Sequence, residues 1–150
     1  MEGNQLKVLV VDDDDDDIFL VKELLREGFS DSIVSLDSTH SSKGAEEYLE
    51  KNEYNICILD LRLGEADGVP LLQMIKEKSQ NIPVIFLTGQ GDQEKAVEVM
   101  KAGAADYLIK SRLSVDGLSR SIRNAIKLKN AKEEKNSAEE ALKAQDRLLN

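Results

Sequence analysis

The feature that most constrains this chain is a fivefold alternation. Short apolar runs at 7–11, 32–36, 54–59, 84–87 and 105–109 are separated by stretches with helical spacing. Runs this short and this rich in Val, Ile and Leu suit strands covered on both faces. Strands that alternate with helices are joined by right-handed crossovers into one parallel sheet. The expected fold is therefore α/β, a doubly wound five-stranded parallel sheet. In such sheets chemistry gathers beyond the carboxyl ends of the strands.

The stretches between the runs read as helices. Ile18, Val21, Leu24 and Leu25 give the first an apolar face, the preceding aspartates can cap it, and Gly28 suits its end. The second covers 41–52 with Ala45, Tyr48 and Leu49 inward. Pro70 fits the first turn of the third, whose face is Leu71, Leu72, Met74 and Ile75. The fourth spans 92–102, with Ala96, Val97 and Met100 inward and Gly103 as its stop. The fifth starts near 114 and its pattern runs on: Leu128, Ala131, Lys135, Ala138, Leu142, Gln145 and Leu149 alternate by three and four. These readings divide the chain into a domain over 1–127 and an extended C-terminal helix over 128–150. That extension is either a solvated tail or a coiled coil, pairing two copies or leading to a missing output or sensor module.

Composition narrows the function classes. The formal net charge is −9, and residues 120–150 hold eight Lys/Arg against five Asp/Glu, so the rest of the chain is more acidic still. That balance argues against binding nucleic acid by phosphate neutralisation, and six aromatics leave little for base stacking. No apolar run approaches the ~20 residues of a membrane helix, and the first residues are no signal peptide, so the expectation is a cytoplasmic protein. Cys57, the sole cysteine, reads as a small buried thiol.

Lining up the strand ends brings Asp12 and Asp13, Asp60, Thr88 and Lys110 to one edge of the sheet. Three carboxylates a few ångströms apart repel, each pair by about 4 kcal/mol at an effective dielectric near 20, and call for a cation. Oxygen ligands without His or Cys favour Mg²⁺, or Mn²⁺. With charge offset by the metal and by Lys110, Asp60 can attack phosphorus in line and form an acyl phosphate, while Thr88 bonds a phosphoryl oxygen.

Val10-Val11-Asp12-Asp13, Leu59-Asp60-Leu61, Leu87-Thr88-Gly89 and Asp106-Tyr107-Leu108-Ile109-Lys110, in this order and at these intervals, resemble the receiver domain of two-component response regulators. The resemblance covers about residues 5–127. It implies a flavodoxin-like strand order 2-1-3-4-5 and a phosphoryl group taken onto Asp60 from a sensor histidine kinase or phosphotransfer protein. It also implies Mg²⁺ held by Asp13 and Asp60 directly, by Asp12 mainly through water, and by the backbone carbonyl of Arg62. Thr88 and Lys110 would contact the phosphoryl group, and Thr88 and Tyr107 would move as a switch reshaping the face of the fourth helix, fifth strand and fifth helix. Arg62 and Gln90 stand where the family tunes access of water to the phosphoryl group. The chain would be no enzyme beyond its own phosphorylation and dephosphorylation.

Two departures stand out. Ser111 follows Lys110 where the family usually has proline, and Gly64 stands in the loop after Asp60 where proline is common, which predicts a looser loop. Of the six aspartates at 12–17, those at 14–17 read as solvated or capping, since at most two or three can reach one metal. His40 reads as a surface residue away from the site. A rival reading, a phosphatase of the haloacid dehalogenase type using Asp12 and Asp14, expects a threonine-like residue where Asp16 stands. A third makes the domain a silent interaction scaffold, although every reacting group is present.

Overall fold

The computed structural model of the chain describes residues 5–63, 66–78 and 81–149. Its elements are β1 (Gln5–Val11), α1 (Asp15–Gly28), β2 (Ile33–Thr39), α2 (Ser42–Lys51), β3 (Ile56–Asp60), β4 (Arg62–Leu63), β5 (Ala66–Asp67), α3 (Val69–Lys78), β6 (Val84–Thr88), α4 (Gln93–Lys101), β7 (Asp106–Ile109) and α5 (Val115–Leu149). The main sheet is parallel with order β2-β1-β3-β6-β7. Setting aside the small antiparallel β4–β5 hairpin, this is the expected 2-1-3-4-5 order.

Side chains on a strand alternate between faces, and the central strands are apolar on both. Leu9, Val11, Cys57, Leu59, Val84 and Phe86 pack with Ala45, Leu71, Leu72, Ile75 and Val99 in one core layer. Val8, Val10, Ile56, Ile58, Ile85 and Leu87 pack with Ile18, Val21, Leu25, Leu118 and Ile122 in the other. Cys57 is fully buried, and burial pushes its thiol up to about 12.

Two expectations change. β2 runs on to Thr39, because all seven of its residues pair with β1. It is an edge strand, and its polar end Asp-Ser-Thr lies beyond the apolar run over 32–36 that marks it in the sequence. On α4 the inward face is Ala96 and Val99, while Val97 and Met100 are exposed. The fourth helix crosses the sheet on its i, i+3 ridge, so the residues chosen for apolarity alone fall on its open side. The loop after Asp60 forms the β4–β5 hairpin; Gly64, and with it the looser loop expected there, lies outside the described residues.

α5 is 35 residues long, which at 1.5 Å per residue is about 52 Å. Its last fully packed residue is Ala125, and beyond it Leu128 and Leu142 are more than half exposed. The helix thus continues well past the last residue that packs in the core.

Candidate functional site

Sheet register builds the site. Val11 pairs with Leu59, Asp60 with Leu87, and Thr88 with Ile109, so the residues just past these ends converge on one edge. Each of the sequence-derived positions Asp12, Asp60, Thr88 and Lys110 arrives there. Asp12, Asp60 and Thr88 are buried.

One carboxylate oxygen each from Asp12, Asp13 and Asp60 lie within 4.8 Å of one another. Asp12 Oδ1 accepts the backbone N–H of Asp14 at 3.0 Å. Its Oδ2 is buried, accepts no hydrogen bond, and faces the Lys110 ammonium at 3.3 Å. Burial, and then the charge of Asp60, push the Asp12 carboxyl up to about 7 against the opposing Asp14 N–H and Lys110. A buried carboxylate oxygen that accepts no hydrogen bond, in a cluster whose candidate ligands are all carboxylate oxygens, fits a small divalent cation such as Mg²⁺ or Mn²⁺.

Asp60 Oδ1 accepts the Arg62 backbone N–H at 3.2 Å, and Oδ2 accepts from Lys110 at 3.1 Å. The Lys110 ammonium also donates to Asp17 Oδ2 at 2.7 Å. Burial opposes its charge, but the bonds to Asp17 and Asp60 and the charges of Asp60 and Asp12 outweigh that and hold its pKa above the usual lysine range. Lys110 through Arg112 form a single 3₁₀ turn, and no peptide among the described residues is cis. Ser111 in place of proline thus leaves the ammonium on Asp60. The Thr88 hydroxyl makes a long bond to the Leu108 carbonyl at 3.4 Å. Gln90 and Tyr107 are exposed.

The acidic run divides differently from its sequence reading. Asp14 caps α1 by accepting from the Asp16 N–H at 2.8 Å, as a solvated capping residue should. Asp17, grouped with it, instead reaches Lys110. In a helix a residue three or four positions on returns to the same face, and its Cβ tilts toward the N-terminus, which carries Asp17 back over the strand ends. His40 is exposed as expected but is not remote from this cluster: its Nε2 lies 2.6 Å from Asp15 Oδ1. Asp92 was also missed; it is buried and takes the Arg62 guanidinium at 2.7 Å.

A five-stranded parallel sheet carrying carboxylates, a threonine and a lysine on successive strand ends defines the receiver class of signalling domain. The chain belongs to the response regulator receiver domain family, whose model matches residues 8–123. It is 36% identical over 118 residues to the regulatory protein LuxO of Vibrio cholerae, covering 76% of this chain and 26% of that protein. It is 33% identical over 127 residues to the transcriptional regulatory protein ZraR of Escherichia coli K12, covering 84% of this chain and 27% of that one. The chain thus spans about a quarter of the length of these curated relatives. Among solved structures, a response regulator receiver domain protein from Clostridium thermocellum matches with a TM-score of 0.73 at 32% identity, over 84% of this chain and 98% of that chain. A structure titled adenylate cyclase, from Rhodopirellula baltica, matches with a TM-score of 0.73 at 25% identity, over 93% of this chain and 98% of that one. Among the described residues no helix is long and apolar enough to cross a membrane.

Proposed function

We propose that this chain is the phosphoacceptor of a two-component phosphorelay, with Asp60 as the accepting residue. The observation that carries the reading is the Lys110 ammonium set between Asp60 and Asp12 at 3.1 and 3.3 Å, with the buried Asp12 oxygen that faces it accepting no hydrogen bond. A donor phosphohistidine, on a sensor kinase or phosphotransfer protein, brings the phosphoryl group. An Asp60 oxygen attacks phosphorus in line, the phosphorus–nitrogen bond breaks, and its electron pair returns to the imidazole, which takes up a proton. Asp12, Asp13, Asp60 and the Arg62 carbonyl would hold Mg²⁺, which when bound offsets charge on the phosphoryl oxygens. Lys110 and Thr88 take phosphoryl oxygens, and water later hydrolyses the acyl phosphate, with Arg62 and Gln90 at the rim where access is governed.

The output is conformational. Thr88 moves toward the phosphoryl group and Tyr107 turns inward, changing a face that now exposes Val97, Met100 and Tyr107. Residues 1–127 form the receiver and 128–150 an extension that carries the change to a second copy or to an output or sensor module. A cytoplasmic location and no enzyme activity beyond its own phosphorylation and dephosphorylation belong to this proposal, and the charge balance supports the absence of nucleic-acid contacts of its own. Incubation with Mg²⁺ and a small phosphodonor tests this: wild type should gain one hydroxylamine-labile phosphoryl group and Asp60→Asn none. An adduct on Asp12, or one that survives Asp60→Asn, would sink it.

A further inference from the structure

The shortest bond made by Lys110 in the cluster is to a residue that the phosphoacceptor reading does not use. Its ammonium lies 2.7 Å from Asp17 Oδ2, closer than to Asp60 at 3.1 Å or Asp12 at 3.3 Å. Both ends of the Lys110–Asp17 pair are about three-quarters shielded from solvent, so it is not a surface pair that water screens away. Asp17 stands in the first turn of α1, which the Asp14 cap closes.

An ammonium has three N–H donors. Here two are spent on hydrogen bonds to Asp17 and Asp60, and the third side faces Asp12. A phosphoryl group on Asp60 adds oxygens that need the same cation. Asp12 can turn to a metal and the bonded Asp60 oxygen loses its charge, but Asp17 keeps its full charge and its hold. Resting on the reading of Asp60 as acceptor, we infer that Asp17 is a positioning residue that competes with the phosphoryl group for Lys110 and thereby limits how firmly the phosphorylated state is held. Its presence tunes the adduct from outside the reacting atoms, through the lysine alone.

The test uses beryllofluoride, which mimics the phosphoryl group, titrated at saturating Mg²⁺ and followed by ¹⁹F NMR on wild type, Asp17→Asn, Asp17→Glu and Asp60→Asn. Asp15 and Asp16 still complement the start of α1, so the Asp17 variants should keep the fold. Asp17→Asn should bind beryllofluoride roughly tenfold tighter, the scale of one charge-assisted contact. Asp17→Glu, which restores the charge, should return toward wild type, and the ¹⁵N signal of the Lys110 ammonium should move in Asp17→Asn before any ligand is added. Unchanged or weaker binding by Asp17→Asn overturns the competition while leaving Asp60 as acceptor. Absence of binding in wild type, or equal binding by Asp60→Asn, overturns the acceptor reading and this inference with it. If Asp17→Asn proves unstable, Asp17→Ser serves in its place with the same expected direction.

Discussion

Arg62 reaches across the mouth of the site to Asp92, with Nη2 at 2.7 Å and Nε at 3.2 Å from one carboxylate oxygen. The other oxygen of Asp92 accepts the Gly89 N–H at 3.3 Å. One ion pair therefore ties the loop that follows Asp60 to the loop that follows Thr88. Asp92 is buried while the Arg62 side chain is 71% exposed, so solvent screens the pair from one side.

Removing the arginine should loosen that junction. Arg62→Ala takes the cationic partner from a buried carboxylate, and with screening discounted the cost should be about 1 kcal/mol. Hydrogen exchange at Gly89 through Asp92 should quicken while the central strands stay protected. Equal exchange in the two proteins would show that the clasp holds nothing in place.

Gly68 ends the same loop, and its small size is needed there. A Cβ at this position would lie 2.8 Å from the Phe86 ring and 3.1 and 3.2 Å from the backbone carbonyls of Asp60 and Leu61. The ring is fixed in the core and the two carbonyls belong to the backbone of Asp60 and Leu61, so the strain cannot be relieved at a flexible side-chain end. Gly68→Ala should cost about 1–3 kcal/mol, as overpacking does, and should weaken Mg²⁺ binding because the Asp60 backbone must shift. A denaturant midpoint and a Mg²⁺ titration indistinguishable from wild type would contradict this.

The raised Asp12 carboxyl gives a pH dependence with a definite sign. A carboxyl near 7 when folded, against 3.8 as its ordinary value, binds its proton more tightly in the folded state. Its contribution is fully present below about pH 4 and is lost as pH rises through about 7. A divalent cation needs the ionised form, so it should restore more stability at pH 7.5 than at about pH 5.5. Thermal melts with and without Mg²⁺ should show a gap that widens with pH in wild type and flattens in Asp12→Asn. A gap independent of pH in wild type would mean that Asp12 does not gate metal binding.

Much of this was legible in the sequence because buried parallel strands write themselves as apolar runs, and the residue that ends each run is fixed at the sheet edge. Asp12, Asp60, Thr88 and Lys110 were found that way. The misses share a cause. The end of β2 beyond residue 36 is polar because it is an edge strand, and Val97 and Met100 read as inward because composition does not say which ridge of a helix meets the sheet. Asp17 and Asp92 escaped because their partners, Lys110 and Arg62, are distant in sequence and only the packed fold aims one at the other.

The extension of α5 makes a test of its own pairing. In the register set by Leu128, Ala131, Lys135, Ala138 and Leu142, a parallel pair of copies would place Lys127 against Lys132 of the other copy and Glu134 against its Glu139. Like charges at these flanking positions oppose association, and two alanines with a lysine on the seam bury little apolar surface to offset them. Wild type should therefore be largely monomeric at low ionic strength and associate more as salt screens the repulsion, the reverse of an interface held by ion pairs. Lys132→Glu turns both Lys127 contacts attractive and should tighten the dimer about tenfold at low salt. Sedimentation equilibrium of the two proteins across a salt series reads both effects. Association of wild type that weakens with salt, or no response to Lys132→Glu, would show that the copies do not meet along this seam in parallel.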